Sequence, residues 1–506
     1  MLRELRNGVR LVETVRCLVR HNALFPLALL PLPRPVLRLA ELIGNKAAPG
    51  RPGERLARAL QELGPTFIKL GQSLAVRSDL LGETIARDLS ELQDRLPSFP
   101  AAKARAVIEA ELERPLPALF SSFDDEPVAA ASIAQVHFAV TTEGEEVAVK
   151  ILRPGIELAV ERDLDFLLWL AQWVERLRPG LRRYRPVETV LTLAVTTRRE
   201  MDLRLEAAAA AEFAANCALD EGFRVPRVDW RRTSRRVVTF ERVHGLPIDE
   251  RAVLLAAGHD PDRIMAKAAA VFFNQVFRDG LFHADMHPGN MLVDAHGDIV
   301  ALDFGIMGRL DLATRRNLAE ILVGFLTRDY SRVAEVFFRA GYVPAHQDPQ
   351  AFQQACRAVG EPILGLPLDE ISLGKLLGQL LAVAEQFEME QQPELVLLQK
   401  TMVVAEGVGR ALNPNVNIWQ LAQPMVENWI RDHLGPEARL QQAVVDGLDM
   451  LQRLPSLVAR AERLALVLGD DARRPRRVVL HARAWSWPAY LLTGVALGVL
   501  LSRLVG

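Results

Sequence analysis

The apolar positions change period several times along the chain, and the changes mark its parts. Residues 50–115 carry apolar residues at helical spacing, broken by Gly and Pro, and predict a run of short amphipathic helices. From residue 123 the texture alternates. "PVAAASIAQVHFAV" and "EVAVKIL" read as strands joined at "TTEGEE", a hairpin that carries Lys150 near its end. Helical periodicity returns over 156–220 and closes in the alanine-rich "REMDLRLEAAAAAEFAANCAL", after which "RRVVTFERVHG" predicts a strand with a glycine exit. In the mostly helical half that follows, "NMLV" and "IVALDFG" are short apolar strands joined by "DAHGD". A small mixed lobe followed by a larger helical lobe predicts an α+β fold with its binding cleft between the lobes.

Composition narrows the function classes. The 506 residues suffice for one large bilobal body, and a formal net charge of -2 leaves no basic footprint for nucleic acid. Cys17, Cys217 and Cys356 lie far apart without CxxC or Cys/His spacing, so neither a disulfide framework nor a zinc site is expected and a reducing cytoplasmic setting fits. Charge is uneven at the amino end: residues 1–60 hold eleven Arg or Lys against four Glu, around the run "ALFPLALLPLP". That run is too short and proline-broken to span a bilayer, and no A-x-A cleavage pattern marks a secretory signal. An Arg-rich transit peptide keeps a mitochondrial setting open as the alternative.

The carboxyl end predicts a membrane anchor. "AWSWPAYLLTGVALGVLLS", residues 484–502, is uncharged, and at about 1.5 Å per residue a helix of that length reaches about 28 Å, close to the roughly 30 Å hydrocarbon core. Trp485, Trp487 and Tyr490 cluster at its start, and Arg473, Arg474, Arg476, Arg477 and Arg483 precede it, which by the positive-inside rule keeps the protein body cytoplasmic. A buried terminal core helix is the bland reading of the same run. Gly494 and Gly498 form a GxxxG that permits close helix packing, a homodimer included. The expected divisions are a basic and apolar segment at 1–50, a helical extension at 51–120, a mixed lobe at 121–248, a helical lobe at 249–440, a basic juxtamembrane segment at 441–483 and a transmembrane helix at 484–506.

The stretch "LFHADMHPGNMLVDAHGDIVALDFG" carries the chemistry. His283 and His287 lie four apart, but Pro288 and Gly289 break any helix that would turn both to one metal. Phosphotransfer fits the spacing better: Asp285 is followed by Asn290 at plus five and by Asp303-Phe304-Gly305 at plus eighteen. A phosphoryl group in transfer builds charge that a metal must neutralise, so Asn290 and Asp303 are expected to hold Mg²⁺ across the phosphates of ATP. Asp285 would orient or deprotonate the nucleophile. Lys150, ending "VAVK", stands where a kinase lysine meets the α and β phosphates. Its acidic partner is open among Glu200, Asp202 and Glu206: the last two lie four apart and are expected to share one face of the alanine-rich helix.

Three departures from ordinary kinases carry a resemblance. Where a glycine-rich phosphate loop belongs, the chain has "AAASIAQVH" with Ala129, Ala130, Ala131 and Ser132. Upstream lies "FIKLGQS", and no activation segment or A-P-E follows Gly305. Over roughly residues 50–350 this combination resembles the UbiB family, the atypical protein-kinase-like proteins of ubiquinone biosynthesis related to the mitochondrial coenzyme Q kinases. The resemblance implies a bilobal atypical kinase-like fold with a helical extension and a C-terminal membrane helix. It implies a KxGQ at Lys69, Gly71 and Gln72 that folds over the cleft to meet an ExD at Glu200 and Asp202, and Glu206 as the partner of Lys150. Lys69, Lys150 and Asp285 take catalytic places. The alanine loop, Gln72, Glu200, Asp202 and Glu206 line the nucleotide, and Asn290 and Asp303 take the metal. The implied activity is that of a membrane-associated kinase or ATPase acting with Mg-ATP, polyprenylated quinone precursors and quinone biosynthetic enzymes, at a bacterial inner membrane. A nucleotide-binding scaffold without turnover and an ordinary protein kinase are the alternatives.

Overall fold

The computed structural model describes residues 2–26, 49–75, 81–90, 92, 96–364, 379, 383–384, 386–389 and 392–413. The expected anchor at 484–506, the juxtamembrane segment and most of "ALFPLALLPLP" lie outside the described residues. No helix among the described residues is long and apolar enough to cross a membrane.

The helical extension follows the apolar period. Helices Leu2–Arg20 and Pro65–Ala75 pack on helix Ile156–Leu177, the second also on Pro186–Glu200, while Pro52–Leu63 and Glu83–Ser90 pack on Pro65–Ala75 and on each other. Leu56, Leu60, Phe67, Ile68, Phe166 and Leu193 share one core there. Glycine matters at one crossing: a Cβ on Gly71 would stand 2.7 Å from Leu60 Cδ1 and from Leu92 Cδ2, so its bare backbone lets neighbouring segments close.

The mixed lobe is built on an antiparallel sheet of β1 (Phe120–Phe123), β2 (Ala129–Ala130), β3 (Ala134–Thr141), β4 (Glu146–Leu152) and β6 (Val237–Glu241). Its order is β1-β3-β4-β6, with β2 paired to β3. Alternation along β4 sends Val147, Val149 and Ile151 inward onto helix Ala101–Leu112, where Ala104 and Ile108 meet them. Lys150, between Val149 and Ile151, therefore takes the opposite face, opposed by Val136 on β3 and Val238 on β6.

The alanine-rich stretch is two helices. Glu200 ends helix Pro186–Glu200, Met201 turns the chain, and Asp202 caps helix Leu203–Asn216 by accepting from the Arg204 amide at 3.2 Å. The expectation that Asp202 and Glu206 share a helical face is corrected: Asp202 stands outside the helix, because a carboxylate that satisfies an orphan amide ends the preceding run. Along the second helix Leu203, Glu206, Ala207, Ala210 and Phe213 are buried, so Glu206 occupies a core-facing position.

The helical lobe holds short sheets around the motif stretch. Strands β5 (Phe223–Arg224), β10 (Ile299–Ala301), β9 (Met291–Val293) and β7 (Leu246–Pro247) pair in that order, and β8 (Leu281–His283) pairs with β11 (Met307–Arg309). Helices Pro261–Phe273, Leu312–Leu326, Tyr330–Arg339, Pro349–Leu364 and Pro393–Leu412 make up its body. The overall class is α+β, as the patterning predicts.

Candidate active site

One lysine joins three distant parts of the chain. Lys150 Nζ lies 2.7 Å from Glu206 Oε1 and 3.0 Å from Asp303 Oδ1. The helix choice left open by spacing thus falls on Glu206, since Asp202 binds Arg204 through both oxygens. Burial works against the Lys150 ammonium, but the two carboxylates outweigh it and its pKa is raised. Burial pushes Glu206 up to about 7, against the pull of Lys150 and with the Asp303 charge adding to the rise. Loss of water also works to raise Asp303, yet Lys150 and the Gly305 amide hold its carboxyl well below the ordinary range. Two carboxylates share one cation, and their environments drive them apart.

Asp303 has a left-handed backbone, φ 57°, with Oδ1 accepting from the Gly305 amide at 3.2 Å. Such a conformation in a residue other than glycine costs of order 1 kcal/mol or more and needs surrounding contacts to hold it. Phe304 supplies them. It is buried, with its ring 5.9 Å from Phe213, 6.2 Å from Phe240 and 5.6 Å from His283. Because Phe213 lies on the same helix as Glu206, packing and ion pair fix the DFG to that helix together.

The loop of Asp285 is braced through its histidines. His283 is buried, which lowers its pKa; Nδ1 accepts from the Asp285 amide at 3.1 Å and Nε2 meets the Leu302 carbonyl at 3.1 Å. His287 accepts from the Gly289 amide at 2.9 Å. Both rings hold backbone. Asn290 Nδ2 donates to the Asp285 carbonyl at 3.0 Å, and the Asn290 carbonyl accepts from Leu302 at 2.8 Å, which brings Asn290 beside the residue preceding Asp303. An amide oxygen and a carboxylate are hard donors suited to Mg²⁺.

The alanine loop is tied from below. The Ala131 amide donates to the Ala134 carbonyl at 2.8 Å, and the Ala131 carbonyl accepts from Arg153 Nη2 at 2.8 Å. Ala129 is exposed, Ala130 and Ala131 half-buried, and Ser132 buried with an Oγ that has no partner. In the extension, Lys69 Nζ meets Glu200 Oε2 at 2.9 Å, while Gln72 lies half-buried one turn on. Among the predicted residues, Lys150, Glu206 and Asp303 are brought together, Asp285 and Asn290 form a second group, and Lys69 and Glu200 a third. Asp202 is drawn into none of them.

Residues 91–337 match the model of the ABC1 atypical kinase-like domain, and residues 356–417 match that of the UbiB helical domain. A protein of Marinobacter nauticus named "Probable protein kinase UbiB" is 41% identical over 458 residues, 88% of this chain and 83% of that one. One of the same name from Pseudomonas entomophila is 40% identical over 506 residues, 97% of this chain and 92% of that one. The chain belongs to the UbiB family. A solved Mycobacterium tuberculosis protein, in complex with erythromycin, is 27% identical with a TM-score of 0.47, covering 76% of this chain and 97% of that one.

Within this UbiB-family chain, one residue at the site escapes sequence reasoning. Lys400 Nζ lies 2.9 Å from Asp285 Oδ1, reaching in from helix Pro393–Leu412, inside the stretch matched to the UbiB helical domain. The only sequence signal is a lone cation within the apolar "LVLLQKTMVVA".

Proposed function

We propose that this UbiB-family chain is an atypical kinase or ATPase that uses Mg-ATP in the biosynthesis of ubiquinone or a related prenylquinone at a membrane. The observation that carries the reading is Lys150 held between Glu206 and Asp303. Kinase-like phosphoryl transfer uses a lysine paired with a helix carboxylate, beside a DFG carboxylate that takes the metal, and these are the three groups gathered here.

When bound, Mg-ATP supplies the transferable phosphoryl group and the charge that neutralises it. Lys150 would meet the α and β phosphates, kept in place by Glu206, while the Asn290 amide oxygen and the Asp303 carboxylate would hold the metal. Asp285 would orient the nucleophile or take its proton. The alanine loop would cover the phosphates with less backbone freedom than glycine gives. Lys69 and Gln72 lie in the extension, which Lys69 joins to Glu200 and which in this reading takes the room an ordinary kinase gives to a peptide; the acceptor is then water or a small lipid-like intermediate such as a polyprenylated phenol. The membrane tether is the apolar segment 484–502, and the setting a bacterial inner membrane with the kinase-like part cytoplasmic.

The test is Mg-dependent phosphate release from ATP by the purified protein in liposomes, with and without a polyprenylphenol, beside Asp303→Asn. Release that rises with the phenol and vanishes in the variant supports the reading; a wild-type protein that neither binds nor hydrolyses ATP overturns it. Vesicle flotation after deletion of 484–506 tests the tether separately, and undiminished association removes it.

A further inference from the structure

The inference rests on the proposed phosphotransfer reading and extends the site to the helical domain. We propose that Lys400 is a catalytic residue, the cation that meets the terminal phosphate on the side of Asp285. Its ammonium meets Asp285 Oδ1 at 2.9 Å.

Consider where positive charge is found. The loop "HADMHPGN" contains no Lys or Arg, and His283 and His287 are both engaged with backbone. Lys150 is held by two carboxylates at the DFG. Phosphoryl transfer spreads charge over the oxygens of the group in flight, and electrostatic stabilisation of that charge is usually the largest single contribution to catalysis. Among the described residues Lys400 is the cation in contact with Asp285, and it comes from outside the stretch matched to the kinase-like domain.

Its placement is built. Leu398, Thr401, Val408 and Leu412 of the same helix are buried, and the helix packs on Pro261–Phe273 and on β11, the strand paired with β8 just before Asp285. Stability does not explain the pair: the Lys400 and Asp285 side chains are 43% and 29% exposed, and such pairs contribute about 0–1 kcal/mol. A lysine on a flexible stem, drawn to the loop by one carboxylate and partly exposed, can move to a phosphate without moving its helix.

In the transfer a bond forms from the nucleophile's oxygen to the terminal phosphorus. The bond from that phosphorus to the bridging oxygen breaks, ADP leaves with the electron pair, and the nucleophile's proton passes to Asp285. Lys400 keeps its protons throughout.

The full chain in liposomes is compared as wild type, Lys400→Ala and Lys400→Arg, by Mg-ATP hydrolysis and by affinity for Mg-ADP and for a non-hydrolysable ATP analogue. Lys400→Ala is expected to lower kcat about 10–100-fold, to leave ADP affinity within about twofold and to erase any preference for the triphosphate, with Lys400→Arg restoring that preference in part. A kcat within about twofold of wild type, a raised kcat, or an equal loss of affinity for both nucleotides overturns the proposal; the raised kcat would make Lys400 a lock on Asp285. Wild type that binds nucleotide without turnover still reports through the affinity contrast. Wild type that binds no nucleotide fails the parent reading, and this one with it.

Discussion

Lys69 Nζ and Glu200 Oε2 stand 2.9 Å apart, with only 13% and 11% of their side chains exposed. The pair bolts helix Pro65–Ala75 to the end of helix Pro186–Glu200, two residues before the cap that starts the Glu206 helix. It is a joint between the extension and the helix that leads into the one whose Glu206 positions Lys150. Removing one partner of a mostly buried pair leaves the other charge without compensation, so Lys69→Ala should cost about 2–4 kcal/mol. Replacing both, as Lys69→Met with Glu200→Leu, should recover more than half. Thermal melting of the three proteins checks this; equal melting of Lys69→Ala and wild type would mean the joint carries no strain-free load of its own.

Glu206 gives stability a pH dependence with a defined sign. Its carboxyl is raised to about 7 from the ordinary 4.5, so the folded state binds that proton more tightly than the unfolded chain. The contribution is fully present below about pH 4.5 and is lost as pH rises through about 7. Asp303, held low, works in the opposite sense and only in more acid solution, since its contribution is lost as pH falls through its depressed value. Between pH 5 and 7.5 the melting temperature of wild type should therefore fall relative to that of Glu206→Gln, which lacks the titrating group. Parallel curves for the two proteins would refute this assignment of the proton.

Gly71 is a packing glycine in a helix, without an unusual dihedral. A methyl at that position meets the ends of Leu60 and Leu92 at 2.7 Å, and leucine termini yield at some cost. Gly71→Ala should destabilise by about 1–3 kcal/mol despite the better helix propensity of alanine, and Leu60→Val in the same chain should relieve part of it. Denaturant melts of the single and double variants decide; a Gly71→Ala more stable than wild type would show that the crossing has slack.

Much of this site was legible because its chemistry is local in sequence. Asp285, Asn290 and Asp303 lie on two turns flanking the β9–β10 hairpin, and strand alternation alone places Lys150 opposite the core face of β4. Choosing Glu206 needed three dimensions, or a family resemblance, because Glu200, Asp202 and Glu206 lie within about two helical turns of one another and the helix breaks between them. The break itself was hidden: an aspartate inside an alanine-rich run reads as helix until its side chain is seen on the Arg204 amide. Lys400 was out of reach altogether. It lies 115 residues from Asp285, and no period or spacing connects them.

The alanine loop offers the last test. Ala130 pairs with Gln135 across β2 and β3, and Ala131 is tied through both its amide and its carbonyl, so the backbone over the proposed phosphate site is braced at two consecutive residues. Glycine has no Cβ and reaches conformations alanine does not, which frees the turn to approach a phosphate or to leave it. Ala130→Gly and Ala131→Gly should each change the affinity for Mg-ADP or Mg-ATP by several-fold and shift the ratio between them, a change of about 1 kcal/mol for a fivefold effect. Arg153 continues to hold the Ala131 carbonyl in both variants, so the sheet should melt within about 1 kcal/mol of wild type. Equilibrium binding of both nucleotides to the three proteins gives the answer: unaltered affinities and an unaltered ratio would mean the loop does not touch the nucleotide, and attention would pass from alanine to the buried Ser132 hydroxyl beside it.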